Sequence, residues 1–133
     1  MKTQSALLRL IGALLLALLA FIALPCSTVR ASQGQCGDVE ISVQYGGGNQ
    51  ICFVLEVEPS DCLIYVTTGI DNPSFPDPSR SGTTPIPPTF TVSSGATLCV
   101  PYGHTLCIKA FAYKALWTQS VHISYFCLHN PER

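Results

Sequence analysis

Six cysteines scattered through short, alternating apolar runs constrain this chain more than any other feature. Cys36, Cys52, Cys62, Cys99, Cys107 and Cys127 are separated by 16, 10, 37, 8 and 20 positions. Zinc sites usually show paired C-x2–4-C spacing, which this series lacks. An even number of cysteines in a short exported domain predicts three disulfides and no metal ion. A domain of ~100 residues buries only about two thirds of its unfolded surface. Each bridge adds ~2–4 kcal/mol, so the cross-links bear directly on whether such a chain stays folded.

Residues 1–31 read as a secretory signal peptide. Lys2 and Arg9 make a basic start, and Leu10–Leu24 is an apolar run of 15 residues. Pro25 breaks that run, and Val29-Arg30-Ala31 puts small residues at the spacing a signal peptidase reads. Cleavage after Ala31 removes Cys26 and leaves residues 32–133 as a single secreted domain. The rival reading is a retained signal anchor, although a membrane span needs about 20 residues.

The remaining 102 residues carry eight acidic side chains (Asp38, Glu40, Glu56, Glu58, Asp61, Asp71, Asp77, Glu132) against four basic ones (Arg80, Lys109, Lys114, Arg133), a formal charge of −4. Nucleic-acid binding requires clustered Lys and Arg to displace counterions. No such cluster is present in the sequence, nor is a polybasic patch for a membrane surface.

Beyond residue 31 there is no long helical periodicity. Short runs rich in Val, Ile, Thr and aromatics alternate with Gly, Pro, Asn and Ser, the pattern of an all-β chain. The expected strands are Val39–Tyr45, Gln50–Glu58, Cys62–Thr67, Thr89–Val92, Thr97–Val100, Thr105–Tyr113 and Ser120–Cys127. Seven strands with turn residues between them predict an all-β, immunoglobulin/fibronectin-III-like two-sheet sandwich stapled by disulfides. Gly46-Gly47-Gly48-Asn49 tolerates the positive φ of a tight connection. The proline-rich stretch 71–88 is expected to be a long loop crossing between the sheets. Alternation places Phe53, Leu55 and Val57 inward and Cys52, Val54 and Glu56 outward. In the sixth strand Lys109 marks the outer face, with Leu106, Ile108, Ala110 and Ala112 inward and Cys107, Phe111 and Tyr113 outward.

Two segments stand out: Ile64-Tyr65-Val66-Thr67-Thr68-Gly69-Ile70-Asp71-Asn72-Pro73-Ser74, and Thr105 to Lys114 followed by Trp117-Thr118-Gln119-Ser120. Together, with Tyr125 in the last strand, they resemble the chitobiase/β-hexosaminidase C-terminal domain, a relative of fibronectin type III modules, across about residues 39–127. The resemblance implies a β-sandwich that usually accompanies a catalytic domain, and it carries over no hydrolase activity. Thr68 stands where that family has an aspartate before the glycine, and the six cysteines are additional to its pattern.

An immunoglobulin-like strand order selects one disulfide pairing. The last turn, centred near residues 116–118, brings Cys107 opposite Cys127. The second strand, antiparallel to the fifth, brings Cys52 to Cys99. The first strand, antiparallel to the second, brings Cys36 near Cys62. The alternative is an inter-sheet Cys52–Cys107 bridge.

Trp117 is the leading candidate for a binding residue, because it sits at the last hairpin and sandwich loops often bind partners. An exposed Trp or Tyr stacks on sugar rings or anchors protein interfaces. The competing reading folds Trp117 back over its hairpin. Tyr102 and Phe75, and beside them Phe90, are further candidates of this kind. Glu56 and Glu58 share a strand face, and Asp71 and Asp77 lie in the long loop. Paired carboxylates serve glycoside hydrolysis, but nothing in the sequence places a second acid opposite either pair, so they read as a solvated face. His104, His122 and His129 have no nucleophile motif beside them. The expectation is a non-catalytic extracellular module without a cofactor, binding a glycan or an extracellular protein. The alternatives are a structural or adhesion domain acting through sheet edges and, third, a small secreted hydrolase.

Overall fold

The strand pattern becomes two antiparallel sheets in the computed structural model, which describes residues 34–131. The expected signal segment, its cleavage site and Cys26 lie outside the described residues. No helix among the described residues is long and apolar enough to cross a membrane.

The strands are β1 (Glu40–Tyr45), β2 (Ile51–Glu56), β3 (Leu63–Ile70), β4 (Arg80–Ser81), β5 (Thr84–Pro85), β6 (Phe90–Val92), β7 (Ala96–Val100), β8 (Thr105–Tyr113) and β9 (Ser124–His129). One sheet has the order β1-β2-β7 and the other β6-β3-β8-β9, a fibronectin-III-like sandwich, while β4 and β5 form a separate two-stranded ribbon. Between β1 and β2 the chain turns through Gly48 and Asn49, both at positive φ, where glycine pays no steric penalty and asparagine is among the more tolerant residues.

The core lies between the sheets and follows the predicted faces. Phe53, Leu55 and Val57 from the first sheet meet Ile64, Val66, Leu106, Ile108, Ala110 and Ala112 from the second, all buried. The two alanines of β8 add little bulk at the layer they share with Ile64 and Val66. Phe126 of β9 closes one side of the sandwich with its ring edge-on to Phe53, centroids 5.8 Å apart.

Three disulfides join Cys36 to Cys62, Cys52 to Cys99 and Cys107 to Cys127, the pairing that strand order predicts. The last two are cross-strand bridges on register partners, each on the outer face of its own sheet. The first ties the N-terminal segment to the start of β3 and is the bridge that reaches the core cluster.

Several elements depart from the expected pattern. The proline-rich stretch does not cross between the sheets: it leaves β3 and returns as β6, on the free edge of that same strand. The crossing falls instead to the short turn Ser93–Gly95 between β6 and β7. β3 continues past Thr67 to Ile70 because Gly69 and Ile70 pair with Cys107 and Leu106. β9 starts at Ser124 rather than Ser120, because the preceding chain is out of register with β8: the Ser120 amide donates to Ala112 O at 3.0 Å, where the β8–β9 register would set His122. Ser120 Oγ accepts from Ala112 N (2.8 Å) and donates to Gly37 O (2.7 Å). The His122 amide donates to Asp38 Oδ1 at 3.0 Å.

Candidate functional site

Alternation alone gives each sheet an outer face, and the two outer faces have different fates. On the four-stranded sheet, Tyr65, Thr67 and Gly69 of β3 and Cys107, Phe111 and Tyr113 of β8 point away from the core. Residues 71–89 fold back over them as a strap. Thr67 Oγ1 donates to Pro76 O at 2.7 Å and Tyr65 OH donates to Thr83 O at 2.6 Å. Tyr65 and Phe111 stack nearly parallel, centroids 5.1 Å apart. Burial pushes the Tyr65 phenol above its ordinary pKa. The Arg80 guanidinium lies 3.3 Å over the Tyr113 ring and its Nε donates to Gln119 Oε1. Lys109 Nζ donates to Phe75 O and pairs with Asp77 at 3.0 Å. Gly69 makes the close approach possible: a Cβ there would sit 2.3 Å from Asn72 O and 2.6 Å from the Phe75 ring. Tyr65 is consequently fully buried and Phe111 keeps 2% of its exposure, although both are on the outward face.

The structure places the three aromatic candidates apart. Trp117 is half-buried against the core, with Lys114 Nζ 4.6 Å from its ring. Gly34 lies so close that a Cβ there would sit 2.5 Å from the indole, so Trp117 packs beneath the N-terminal segment. Phe75 belongs to the strap, half-buried, with Tyr125 at 6.3 Å and Lys109 Nζ at 4.7 Å from its ring. Tyr102 is exposed, with its hydroxyl donating to Gly48 O. Trp117 and Tyr102 flank opposite ends of β8, whose nine residues span about 30 Å, and so share no surface.

The outer face of the three-stranded sheet has no strap. Ser42, Gln44, Val54, Thr97 and the Cys52–Cys99 bridge lie across it, and acids collect at one end. Register puts Glu40 directly opposite Glu56, correcting the expectation that no second acid faces Glu56. Asp38, Glu40, Glu56 and Glu58, with Ser60 and Ser94, line an open cleft of about 510 Å³. The hairpin turn centred near Gly48 was the sequence signal that could have found the Glu40–Glu56 pair. Asp38 is anchored there by the His122 amide, the first cause of its lowered pKa, and by His122 Nδ1 at 2.7 Å. Glu40, Glu56 and Glu58 have no ion-pair partner among the described residues. Two of the three described basic side chains are engaged on the opposite sheet, Arg80 on Tyr113 and Lys109 on Asp77, and the third, Lys114, pairs with Asp61 in the β2–β3 turn.

At the far end of the sandwich, carboxylate, imidazole and hydroxyl come together but not in series. Asp71 Oδ2 pairs with His104 Nδ1, and Asp71 Oδ1 accepts the Thr105 amide at 2.8 Å. Thr105 Oγ1 instead meets His129 Nδ1 at 3.0 Å. The imidazole oriented by the carboxylate is therefore not the one that meets the hydroxyl, whereas a hydrolytic triad needs one imidazole to do both.

Comparison with protein-family models, with curated proteins and with solved structures finds no match.

Proposed function

We propose that this chain is a secreted, non-catalytic binding module whose unstrapped sheet face engages an extracellular protein through a basic segment. The observation that carries this reading is the segregation of charge. Glu40, Glu56 and Glu58 converge with Asp38 on one cleft, while Arg80 and Lys109 are stacked or neutralised on the other sheet and Lys114 is neutralised by Asp61 in the β2–β3 turn. A cleft lined by one sign of charge focuses field and speeds encounter with the opposite sign. The disulfides suit an oxidising, extracellular setting. The likeness to a module that accompanies catalytic domains supports an accessory role.

A lysine-rich probe peptide titrated against the oxidised protein tests this. Binding should shift the amide resonances of Glu40, Glu56 and Glu58 and weaken steeply with added salt. The triple variant Glu40→Gln, Glu56→Gln, Glu58→Gln should abolish it while melting cooperatively. Binding of a neutral glycan, unaffected by those substitutions, would contradict the reading.

A further inference from the structure

A β-sheet must do something with its edges, because an unpaired edge offers a row of free N–H and C=O groups to any other strand. The sandwich has four edges, and they differ in what they offer a partner. β6 is only three residues long and comes directly after Pro87, Pro88 and Thr89. β7 carries no charge or proline of its own, but it exposes no large apolar side chain. β1 carries Glu40. The fourth edge, β9, reads Ser-Tyr-Phe-Cys-Leu-His. It has no proline, no glycine and no Asp, Glu, Lys or Arg, and Tyr125 and Phe126 are 50% and 44% exposed.

The ladder phase says which groups are free. Asn130 N donates to His104 O, so even-numbered residues of β9 turn their backbone groups toward β8. The close Cα approach of Cys107 and Cys127, 4.0 Å, marks them as a non-hydrogen-bonded pair. Tyr125, Cys127 and His129 therefore direct their N–H and C=O groups out of the sheet.

We propose that β9 is a homotypic docking edge, at which a second copy of this chain pairs antiparallel about a two-fold axis through Cys127. That register uses every free group: Tyr125 exchanges two hydrogen bonds with the second copy's His129, Cys127 with its counterpart, and His129 with the second copy's Tyr125. On the inner face Phe126 falls opposite the second copy's Leu128, which covers the most exposed apolar residue of that strand face. A two-fold centred on Phe126 or Leu128 leaves one outward residue of each strand unpaired, so the Cys127 centre is the most complete. The occupant is a second copy because the strand is complementary to itself under this operation. It is also uncharged in a chain of formal charge −4 after signal removal, so two copies meet here without like charges facing. The result is a continuous sheet across both molecules.

The test is sedimentation of the oxidised chain over a concentration series, with amide hydrogen exchange measured at both ends of it. The mass should rise toward that of a dimer. Amides of Tyr125, Cys127 and His129 should exchange fast when dilute and slowly when concentrated, whereas those of Phe126 and Leu128, bonded to β8, stay protected throughout. Tyr125→Pro removes an outward donor without touching the β8 ladder. By symmetry it deletes two inter-copy bonds and should weaken association roughly tenfold to a hundredfold. His129→Pro removes the donor at the other end and should act alike if Tyr125→Pro disturbs the contact with Phe75. A chain that stays monomeric up to its solubility limit, or a dimer whose concentration-dependent protection lies outside β9, overturns the proposal.

Discussion

Phe111 and Val54 hold equivalent positions, each outward-facing on an interior strand of its sheet, yet Phe111 is buried and Val54 is only half-buried. The difference lies in the connections that leave the two sheets. β3 runs into a proline-rich segment long enough to fold back over its own sheet. β2 runs into the short Pro59-Ser60-Asp61 turn, which covers nothing. One outer face thereby becomes a second, smaller core of Tyr65, Thr67, Phe111 and Tyr113 beneath the strap. The other stays polar and carries the unmatched carboxylates. Alternation decides which way a side chain points; chain length and connectivity decide whether that direction leads to water.

The largest effect that can break this comparison is truncation at the paired positions. Phe111→Ala should cost ~3–5 kcal/mol of unfolding free energy, as for a core phenylalanine. Val54→Ala should cost under about 1 kcal/mol, as for a surface site. Chemical denaturation of both variants checks this, and equal costs would erase the distinction between the faces.

Gly69→Ala sharpens it from the other side. The added methyl collides with Asn72 O and the Phe75 ring, so the strap must lift or the strand must shift. We expect a loss of ~1–3 kcal/mol, the usual range for overpacking. Tyr65 should also become accessible to solvent, which near-ultraviolet circular dichroism and phenol titration both report.

Acid should act on three carboxylate ties. Asp71 is held below its ordinary pKa of 3.8 chiefly by the Thr105 amide, Asp38 by the His122 amide, and Asp61 by the Lys114 ammonium. A carboxylate with a depressed folded pKa stabilises the fold fully above its unfolded value and loses that contribution as pH falls through the folded one. Thermal stability should therefore fall below about pH 4. Asp71→Asn and Asp38→Asn should each flatten that decline.

The smallest effect is expected on the bare face. Glu40 and Glu56 are directly opposed like charges, an arrangement that destabilises a sheet. Glu56→Gln should raise the melting temperature slightly at low salt and leave it unchanged at high salt, while weakening any basic ligand. A drop in melting temperature would mean that the carboxylate has a structural partner.

Much of this could be read from the residues. The inward sets of β2 and β8 came from single charged markers, Glu56 and Lys109. The disulfide pairing came from strand order. The strap could not be read, because alternation is silent about what covers an outward face. The stretch 71–88, with its many prolines, has no periodicity from which to infer its path. The Glu40–Glu56 pair was legible in principle, since a hairpin turn centred near Gly48 sets those positions opposite each other, but strand faces taken one strand at a time do not reveal it. Trp117 was ambiguous because Gly34, which lies against its indole, comes from a segment with no strand pattern.

Trypsin offers the most direct test of the strap. Arg80 is the one Lys or Arg between Asp71 and Thr89, and its guanidinium is fixed on Tyr113 and Gln119. With the disulfides intact, the Arg80–Ser81 bond should resist cleavage in the folded protein and be cut at a rate that tracks strap opening, accelerated by Gly69→Ala. Rapid cleavage at Arg80 in a protein that still melts cooperatively at its normal temperature would show that the strap is a loose loop and that both outer faces are equally open.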